Sequence, residues 1–338
     1  MKKLSNGIMI DCVRKNYTFN DIINYIDYLS AVENSFIHLH LSDNENVAVE
    51  CSLLGQIVQY SEKHEGYYIN SGNGKRFFSF AQIRELFCYA VSKNVEFVVE
   101  IDFPAHMNGF FELAAYKFGD EFLNEIGAVI KTDDKGNVFG QIDINNEAGK
   151  KFIYSLVDEY TEQFSYIKYF HIGYDEYSLV TGQSKIEFLN EITSYIRKKC
   201  FVVRIWNDTV TVDNISYIDN KTEITYWILP VDKKYNTVYA SVSDLQKHGF
   251  KVINANCHYL YFYDSHIDQI QRKADLISEN WDISIWNKFF YDKCESIENI
   301  IGSMICIWAE EPEHSDVNDI FNSVTRMYDA MVIKNKLI

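Results

Sequence analysis

Two acids stand side by side in the middle of the chain. The segment FHIGYDEYS (residues 170–178) places Asp175 and Glu176 after a strand-like apolar run, with the bulky Tyr174 in front of them. A carboxyl group can donate a proton near neutral pH when its surroundings raise its pKa. Successive side chains of a β-strand point to opposite faces, so two adjacent acids do not normally share one task. For both acids to act at one site, the strand must end in a turn here or the two acids must have different roles.

Polar and aromatic residues also close the other strand-like runs. In chain order these ends carry Asp11 with Arg14, Asp43 with Glu45, Asp102 with His106, Asp175 with Glu176, Trp206 with Asp208, Trp227, Asn256 with Tyr261, and Trp308 with Glu310. Indole rings pack against the CH faces of sugars, while carboxylates and arginine bind the hydroxyls. A single tryptophan at a strand end is most often part of the core. Three of the chain's five tryptophans at such ends favour a carbohydrate pocket.

Strand-like runs alternate with helical patterns along the whole chain. The runs cover residues 7–12, 35–43, 96–104, 169–176, 202–208, 223–229, 251–257 and 302–310, and the helical patterns cover 18–32, 79–93, 147–164, 184–199, 239–248, 267–280 and 315–334. This order predicts an α/β protein, a single (β/α)8 TIM barrel domain over residues 1–338. An open doubly wound sheet is the alternative, but no glycine-rich turn follows the first strand. We expect the long segments 44–78 and 105–146 to form rim loops.

The charge and the apolar runs limit the possible partners. The formal net charge is −16, from 32 basic and 48 acidic residues. Nucleic acids and anionic membrane surfaces bind clustered Lys and Arg, so neither is an expected partner. No apolar run is long enough to span a bilayer. The start, MKKLSNGIMIDC, lacks the apolar region of a signal peptide, so we expect a cytoplasmic protein or a trimmed secreted domain.

Metal sites and disulfides are not expected. The seven cysteines are dispersed without a C-x-x-C pair, which argues against a disulfide framework and a zinc site. His38 and His40 form an H-x-H pair on the second strand, as in barrel metallohydrolases. Such sites need further histidines from later strands, but the fifth and sixth strands end in Trp206 and Trp227. We expect packed, hydrogen-bonded histidines, no metal and no cofactor.

Six motifs, taken in order, resemble one enzyme family. IMIDCVRKNY, IHLHLSDNEN, VVEIDFPAHM, HIGYDEY, IWND and IWAE, spread over residues 7–310, are similar to the motifs of the family 20 glycoside hydrolases, the β-N-acetylhexosaminidases. The resemblance implies a retaining, substrate-assisted mechanism in which the sugar's own 2-acetamido oxygen is the nucleophile. It also implies a barrel that lacks the family's usual N-terminal accessory domain.

The matching positions imply roles for individual residues. Glu176 is expected to protonate the leaving oxygen and then activate water, while Asp175 orients the acetamide and Tyr261 hydrogen-bonds its oxygen. The other residues implied are Trp206, Trp227 and Trp308 as walls of the acetamide pocket, Arg14, Glu310 and Asp232 as substrate-binding groups, and Asp102, His106, Asp43 and Asp208 as support for the acids. Two positions depart from the family pattern. Tyr174 replaces the second glycine of Gly-Gly-Asp-Glu, and Leu179 stands where an aromatic residue is expected.

Three functions remain open. The first is a β-N-acetylglucosaminidase acting on a β-linked N-acetylglucosamine oligo- or polysaccharide, expected to be the β-1,6-linked polymer of biofilm matrix, or otherwise other β-GlcNAc or GalNAc oligosaccharides. The second is a sugar-binding barrel with impaired catalysis, in which Tyr174 crowds the pocket. The third is a metallohydrolase built on His38 and His40. Linkage, exo or endo action and oligomeric state stay open.

Overall fold

Parallel strands pair in chain order into a closed barrel. The computed structural model describes residues 3–228, 231–232, 237–264, 270–286, 294 and 296–337. The barrel strands are β1 (Ser5–Asp11), β2 (Ser35–His40), β3 (Glu96–Phe103), β4 (Tyr169–Gly173), β5 (Val202–Trp206), β6 (Glu223–Tyr226), β7 (Val252–Asn254) and β8 (Ile300–Trp308). Strand β8 returns to pair with β1, with Gly302 beside Ser5. The predicted (β/α)8 barrel is confirmed.

Helices cover the outside of the barrel. They are α1 (Phe19–Leu29), α2 (Phe80–Ser92), α3 (Asn108–Phe118), α4 (Asp120–Glu125), α5 (Glu147–Gln163), α6 (Gln183–Lys198), α7 (Val242–Lys247), α8 (Ile270–Asn280) and α9 (Val317–Lys336). Helices α1 and α2 begin with capping boxes, in which Thr18 and Ser79 each accept from the N–H three residues on. Within the described residues, no helix has both the length and the apolar character needed to cross a membrane.

Two apolar cores follow from the alternation of side chains along the strands. In β1, Ile8 and Ile10 belong to the larger core that also contains the buried helix residues, whereas Met9 belongs to a smaller one. The smaller core includes Trp206 and Tyr261 and fills the barrel interior. The barrel is therefore packed, and its chemistry is expected at the carboxyl ends of the strands.

The long segments fold on the rim, as predicted, but with structure that the sequence patterns did not reveal. Segment 44–78 contains a three-stranded antiparallel sheet, Ser61–His64, Tyr67–Asn70 and Arg76–Phe77. Segment 105–146 contains α3, α4 and the antiparallel hairpin Ala128–Thr132 and Val138–Ile142. This hairpin is called the rim hairpin below. A further short strand, Tyr261–Tyr263, pairs in parallel with β8.

The strands end earlier than predicted. The predicted strand 169–176 ends at Gly173, and the one predicted over 35–43 ends at His40. The apolar pattern continues past the last paired residue because the first residues of the following turns are also buried. The site residues therefore stand on the turns that follow the strands.

Candidate active site

The turn after β4 carries the two acids. Gly173, Tyr174 and Glu176 have positive φ values of 62°, 68° and 51°, so the chain has left strand geometry at this point. Two carboxylates hold the turn through its backbone. Asp102 Oδ1 accepts from the N–H of Tyr174 (3.3 Å), and Asp208 Oδ2 accepts from the N–H of Glu176 (2.7 Å). The alternation of a regular strand does not apply to this pair of acids.

One histidine lies against both acids. His106 Nε2 is 3.7 Å from Asp175 Oδ2 and 3.5 Å from Glu176 Oε2. On its other side, Nδ1 is 2.9 Å from Asp43 Oδ1. Burial opposes protonation of the imidazole, but the carboxylates around it, first that of Asp43, outweigh burial and raise the pKa of His106 well above its usual value. We therefore treat this side chain as an imidazolium.

The two acids differ in their surroundings. The side chain of Asp175 is 15% exposed and that of Glu176 is 55% exposed. Burial raises the pKa of Asp175 to about 8, with His106 opposing the rise and the carboxylates of Asp208 and Glu176 adding to it. Burial also raises the pKa of Glu176, and His106 again opposes the rise. Because more than half of the Glu176 side chain reaches solvent, its rise is expected to be smaller.

Arg14 is held by three carboxylates at the barrel mouth. Its guanidinium contacts Asp11 Oδ2 (2.9 Å), Asp43 Oδ2 (2.6 Å) and Glu45 Oε2 (3.2 Å), and its side chain is 15% exposed. The Arg14 guanidinium also lies 5.8 Å from the Trp308 ring centre. The arginine is therefore fixed beside the aromatic residues. Because Asp43 contacts both Arg14 and His106, it links the two cations of the site.

Four aromatic residues pack together beside Asp175. The rings of Trp227 and Tyr261 stack with centres 6.2 Å apart, and Trp308 lies 5.9 Å from Tyr261 and 6.0 Å from Trp206. Trp206 is only 1% exposed and its indole N–H donates to Glu100 Oε1 (2.7 Å), so it lies behind the pocket surface. Trp227 and Trp308 are half-buried.

Two polar atoms at this cluster lack a partner. Asp175 Oδ1 and Trp308 Nε1 are buried, and neither makes a hydrogen bond to any part of the chain that the structure describes. Buried polar atoms are nearly always paired, because each unpaired one costs about 1–3 kcal/mol. An unpaired acceptor and an unpaired donor beside an aromatic cluster are what a ligand with both kinds of group would satisfy.

Glu100 ties the barrel histidines into one network. His38 Nε2 and His40 Nδ1 lie 3.0 and 2.9 Å from Glu100 Oε2, and His171 Nδ1 lies 3.0 Å from Oε1. Burial opposes ionisation, but the three imidazoles hold the pKa of Glu100 well below its usual value. The His38, Glu100 and His171 ligand atoms are close enough to hold a metal ion, within 4.8 Å of one another. Hydrogen bonds with His38, His40 and Trp206 already satisfy this carboxylate, in line with the expected packed histidines.

A second group could also hold a metal by distance alone. Asp102, His106 and Asp175 bring three possible ligand atoms within 4.8 Å of one another. A histidine must be neutral to bind a metal, whereas the carboxylates around His106 favour its imidazolium form. At this group a proton on His106 therefore competes with any metal ion for the ring nitrogen.

Tyr174 points away from the aromatic pocket. Its ring is fully buried in the larger core, 6.3 Å from that of Tyr177, and its hydroxyl donates to the carbonyl of Lys185 on α6 (2.7 Å). Leu179 is half-buried against the same core and therefore offers no aromatic face to the site. The crowding considered for Tyr174 is absent.

The remaining predicted residues lie at the periphery. Glu310 is exposed just after β8, next to Ala309, whose N–H donates to Asp11 Oδ2 (3.2 Å). Asp232 lies in the short strand Val231–Asp232, and its side chain is outside the part of the chain that the structure describes.

Two residues that sequence reasoning missed hold the acid turn. Gln141 of the rim hairpin donates to the carbonyl of Glu176 (3.2 Å) and accepts from the N–H groups of Ser178 and Leu179 (3.2 and 2.9 Å). Lys185 donates from Nζ to the carbonyl of Tyr177 (2.8 Å). Burial lowers the pKa of Lys185, and the nearby Asp208 and Asp175 oppose the fall. No local pattern marks either residue, because Gln141 acts on a backbone 35 residues away and Lys185 on the turn that precedes its own helix.

Comparison with known proteins identifies the family and the fold of this chain. The sequence matches the glycosyl hydrolase family 20 catalytic domain over residues 6–321. The structure of dispersin B superposes with a TM-score of 0.88 at 28% identity, covering 99% of this chain and 100% of that one. An exo-β-N-acetylglucosaminidase from Vibrio harveyi shares the fold, with a TM-score of 0.67 at 17% identity over 98% of this chain and 54% of that one.

Curated relatives are longer than this chain. The β-hexosaminidase subunit A1 of Dictyostelium discoideum is 27% identical over 329 residues, which are 90% of this chain and 54% of that protein. The β-hexosaminidase A of Caenorhabditis elegans is 24% identical over 92% of this chain and 56% of its own length. The chain thus spans about half the length of these relatives. It belongs to glycosyl hydrolase family 20, whose catalytic domain it matches over residues 6–321.

Proposed function

We propose that this chain is a retaining β-N-acetylglucosaminidase that uses the substrate's own acetamide as the nucleophile. The observation that carries the proposal is the pair Asp175 and Glu176. The first is half-buried beside the aromatic cluster, with a buried and unpaired carboxylate oxygen, and the second is 55% exposed. His106 contacts both. One acid is therefore placed to hold a group inside the pocket, and the other to exchange protons at its mouth.

The reaction divides into two balanced steps. The acetamide oxygen forms a bond to the anomeric carbon as the glycosidic bond breaks, and Glu176 gives its proton to the leaving oxygen. Asp175 Oδ1 accepts the acetamide N–H and stabilises the positive charge of the cyclic intermediate. In the second step Glu176 takes a proton from water, which adds at the anomeric carbon and reopens the ring. Because the sugar carbon is inverted twice, the product keeps the β configuration.

The aromatic residues hold the acetamide in the attack geometry. Trp227 and Trp308 present half-buried rings, with Trp206 packed behind Trp308, and Tyr261 would hydrogen-bond the acetamide oxygen. Fixing the nucleophile in this way makes the attack intramolecular, which is worth several kcal/mol of barrier. Arg14 would bind hydroxyls of the same sugar.

The other carried-over acids have supporting roles in this proposal. Asp43 orients His106, Asp102 and Asp208 hold the backbone of the acid turn, and Glu310 would bind a sugar hydroxyl from the rim. A role for Asp232 in substrate binding rests on the motif alone.

Polymeric β-1,6-linked N-acetylglucosamine is the substrate we favour. The similarity to dispersin B over the full length of both chains supports a related substrate. The net charge of −16 is compatible with a partly deacetylated, cationic polymer. Turnover of β-1,6-, β-1,4- and β-1,3-linked oligomers, compared by product analysis, tests this preference.

A chromogenic β-N-acetylglucosaminide tests the reaction itself. Glu176→Gln and Asp175→Asn should each lower kcat by about 10²–10⁴-fold, since each removes an acid–base or charge-stabilising group. Glu191→Gln, an exposed glutamate of α6, is the matched control. A β-glucoside without the acetamide should not be cleaved. Wild-type turnover by Glu176→Gln would refute the assignment of Glu176 as the general acid and base.

The two competing functions have clear tests. A sugar-binding barrel without catalysis would bind N-acetylglucosamine oligomers calorimetrically and release no product. The outward position of Tyr174 removes the reason for suspecting it. A metallohydrolase using His38 and His40 would lose activity after prolonged EDTA treatment, whereas the proposed mechanism predicts unchanged turnover.

A further inference from the structure

The second strand of the rim hairpin is bonded to the turn that carries His106. The N–H of Met107 donates to the carbonyl of Gly140 (2.9 Å), and the N–H of Ile142 donates to the carbonyl of Pro104 (3.0 Å). His106 lies between these two anchor points in the sequence. The position of this strand is therefore tied to the position of the imidazole.

The same strand holds the acid turn through Gln141. The Gln141 amide donates from Nε2 to the carbonyl of Glu176 (3.2 Å), and its Oε1 accepts from the N–H groups of Ser178 (3.2 Å) and Leu179 (2.9 Å). The carbonyl of the next strand residue accepts from the hydroxyl of Tyr177 (2.9 Å). One strand thus connects the turn of His106 with the turn of the two acids.

Both backbone polar groups of Glu176 are bonded to side chains from other parts of the chain. Its N–H donates to Asp208 Oδ2 (2.7 Å), and its carbonyl accepts from Gln141. The backbone φ of Glu176 is 51°, a left-handed conformation that is unfavourable for a residue with a side chain. Such a conformation persists only where the surrounding contacts fix it. Loss of the Gln141 bonds would let the backbone relax, and the carboxyl group would move with it.

The side chain of Glu176 is held weakly beyond its backbone. It is 55% exposed, and its carboxylate lies 3.5 Å from His106 Nε2, farther than the roughly 2.7–2.9 Å of a strong charge-assisted hydrogen bond. A general acid must come within about 2.6–3.2 Å of the oxygen that it protonates. Because a displacement of about 1 Å can cost about 100-fold in rate, the backbone of Glu176 decides how well this acid works.

We propose that Gln141 is a positioning residue for proton transfer by Glu176, and that the rim hairpin fixes the carboxyl group of this acid relative to His106. The inference rests on the proposed function and adds a residue to it that touches no reacting atom. Loss of Gln141 should impair the cleavage of glycosides whose leaving oxygen needs a proton. Glycosides whose leaving group is stable as an anion should be cleaved almost as before.

The test compares two leaving groups. kcat/KM is measured on a dinitrophenyl β-N-acetylglucosaminide, whose leaving group departs without a proton, and on the methyl glycoside, whose leaving group needs one. The ratio of the first value to the second is followed, because a loss of folded protein lowers both values equally. Gln141→Met should raise this ratio by about tenfold or more, which is part of the 10²–10⁴-fold that a general acid contributes. The dinitrophenyl value itself should stay within about twofold of wild type.

A second variant and a matched control complete the experiment. Gln141→Glu keeps an acceptor for the two N–H groups of the turn but replaces the donor to the Glu176 carbonyl with an oxygen, so the ratio should rise here too. This variant decides the question if Gln141→Met does not fold. Gln246→Met on α7 is the control, because Gln246 also holds a loop through backbone carbonyls, those of Ser296 (2.8 Å) and Glu298 (2.6 Å). It should leave the ratio unchanged.

The outcomes separate this role from the proposed function. A wild-type ratio in either folded Gln141 variant would overturn the positioning role, while turnover of both glycosides by the wild type upheld the proposed function. No turnover of any β-N-acetylglucosaminide by the wild type would refute the proposed function and the positioning role with it.

Discussion

Replacing His106 with glutamine tests whether one imidazolium sets the ionisation of both acids. The ring nitrogen lies 3.7 Å from Asp175 and 3.5 Å from Glu176. Unit charges 4 Å apart interact by about 4 kcal/mol at an effective dielectric constant of 20, and by about 1 kcal/mol in water. These energies correspond to roughly one to three pKa units. Since His106 and Asp175 are only 11% and 15% exposed, the larger effect is expected on Asp175.

The sign of the change follows from the charge. A carboxylate that loses a cationic neighbour has a higher pKa, so the ionised form of Asp175 that the reaction needs appears only at higher pH. Burial already raises the pKa of Asp175 to about 8, so a further rise lowers its ionised fraction at pH 7. A rise of about one unit would lower that fraction, and kcat/KM with it, by about tenfold. The acid limb of the kcat/KM profile should move to higher pH by about one unit or more.

The assay is the pH dependence of kcat/KM on a chromogenic β-N-acetylglucosaminide. Glutamine keeps an amide donor for Asp43 Oδ1, and thermal unfolding checks that the fold survives. His64→Gln is the matched control, because His64 on the rim sheet contacts Glu62 and Tyr67 and is 34% exposed; it should leave the profile unchanged. An acid limb that stays in place, or moves to lower pH, would refute the electrostatic role of His106.

Three further substitutions test the acid turn. Lys185→Met removes a cation that interacts with the carboxylates of Asp208 and Asp175, so the acid limb of kcat/KM should move to higher pH. The control Lys199→Met, at a half-buried lysine that pairs with Asp158, should not move it. Tyr174→Phe loses one hydrogen bond, so urea unfolding should show a free energy of unfolding lower by about 1 kcal/mol. The kcat/KM of this variant should stay within about twofold of wild type. A large loss of activity would instead place the ring in the pocket. Gly173→Ala puts a methyl group 1.8 Å from Asp102 Oδ1, at a backbone φ of 62°. Urea unfolding should therefore show a free energy of unfolding lower by about 2 kcal/mol or more. An unchanged urea midpoint would contradict the close packing of Gly173 against Asp102.

The barrel was predictable from the sequence because the strand signals, the helix signals and their order along the chain all indicated the same fold. Apolar runs marked the strands, helical spacing and the capping boxes at Thr18 and Ser79 marked α1 and α2, and no linker interrupted the alternation. The end of each strand was less well defined by the sequence, since buried residues such as Leu41 continue the apolar pattern after the strand has ended. A barrel collects its chemistry at those ends, so the candidate residues could be gathered before any geometry was known.

Other parts of the site depend on contacts that no local pattern encodes. Gln141 lies in the rim hairpin and holds the backbone of Glu176 across 35 residues of sequence. His106 contacts both acids from the turn after β3. Its backbone φ is 57°, a left-handed conformation that a histidine in the sequence does not predict. Trp206 was expected to wall the pocket, but its indole N–H satisfies the buried Glu100, which places it behind the surface. These assignments require the three-dimensional arrangement.

The turn that carries Asp175 and Glu176 has an unfavourable backbone conformation, and the contacts around it offset the free-energy cost. A non-glycine residue in the left-handed region costs about 1–2 kcal/mol, and both Tyr174 and Glu176 occupy that region. The surrounding side chains offset this cost, since Asp102 and Asp208 accept from the two backbone N–H groups and the Tyr174 ring is fully buried against the core. Tyr174 therefore anchors the turn from the core side. In the proposed mechanism, Asp175 and Glu176 then act on different parts of one sugar.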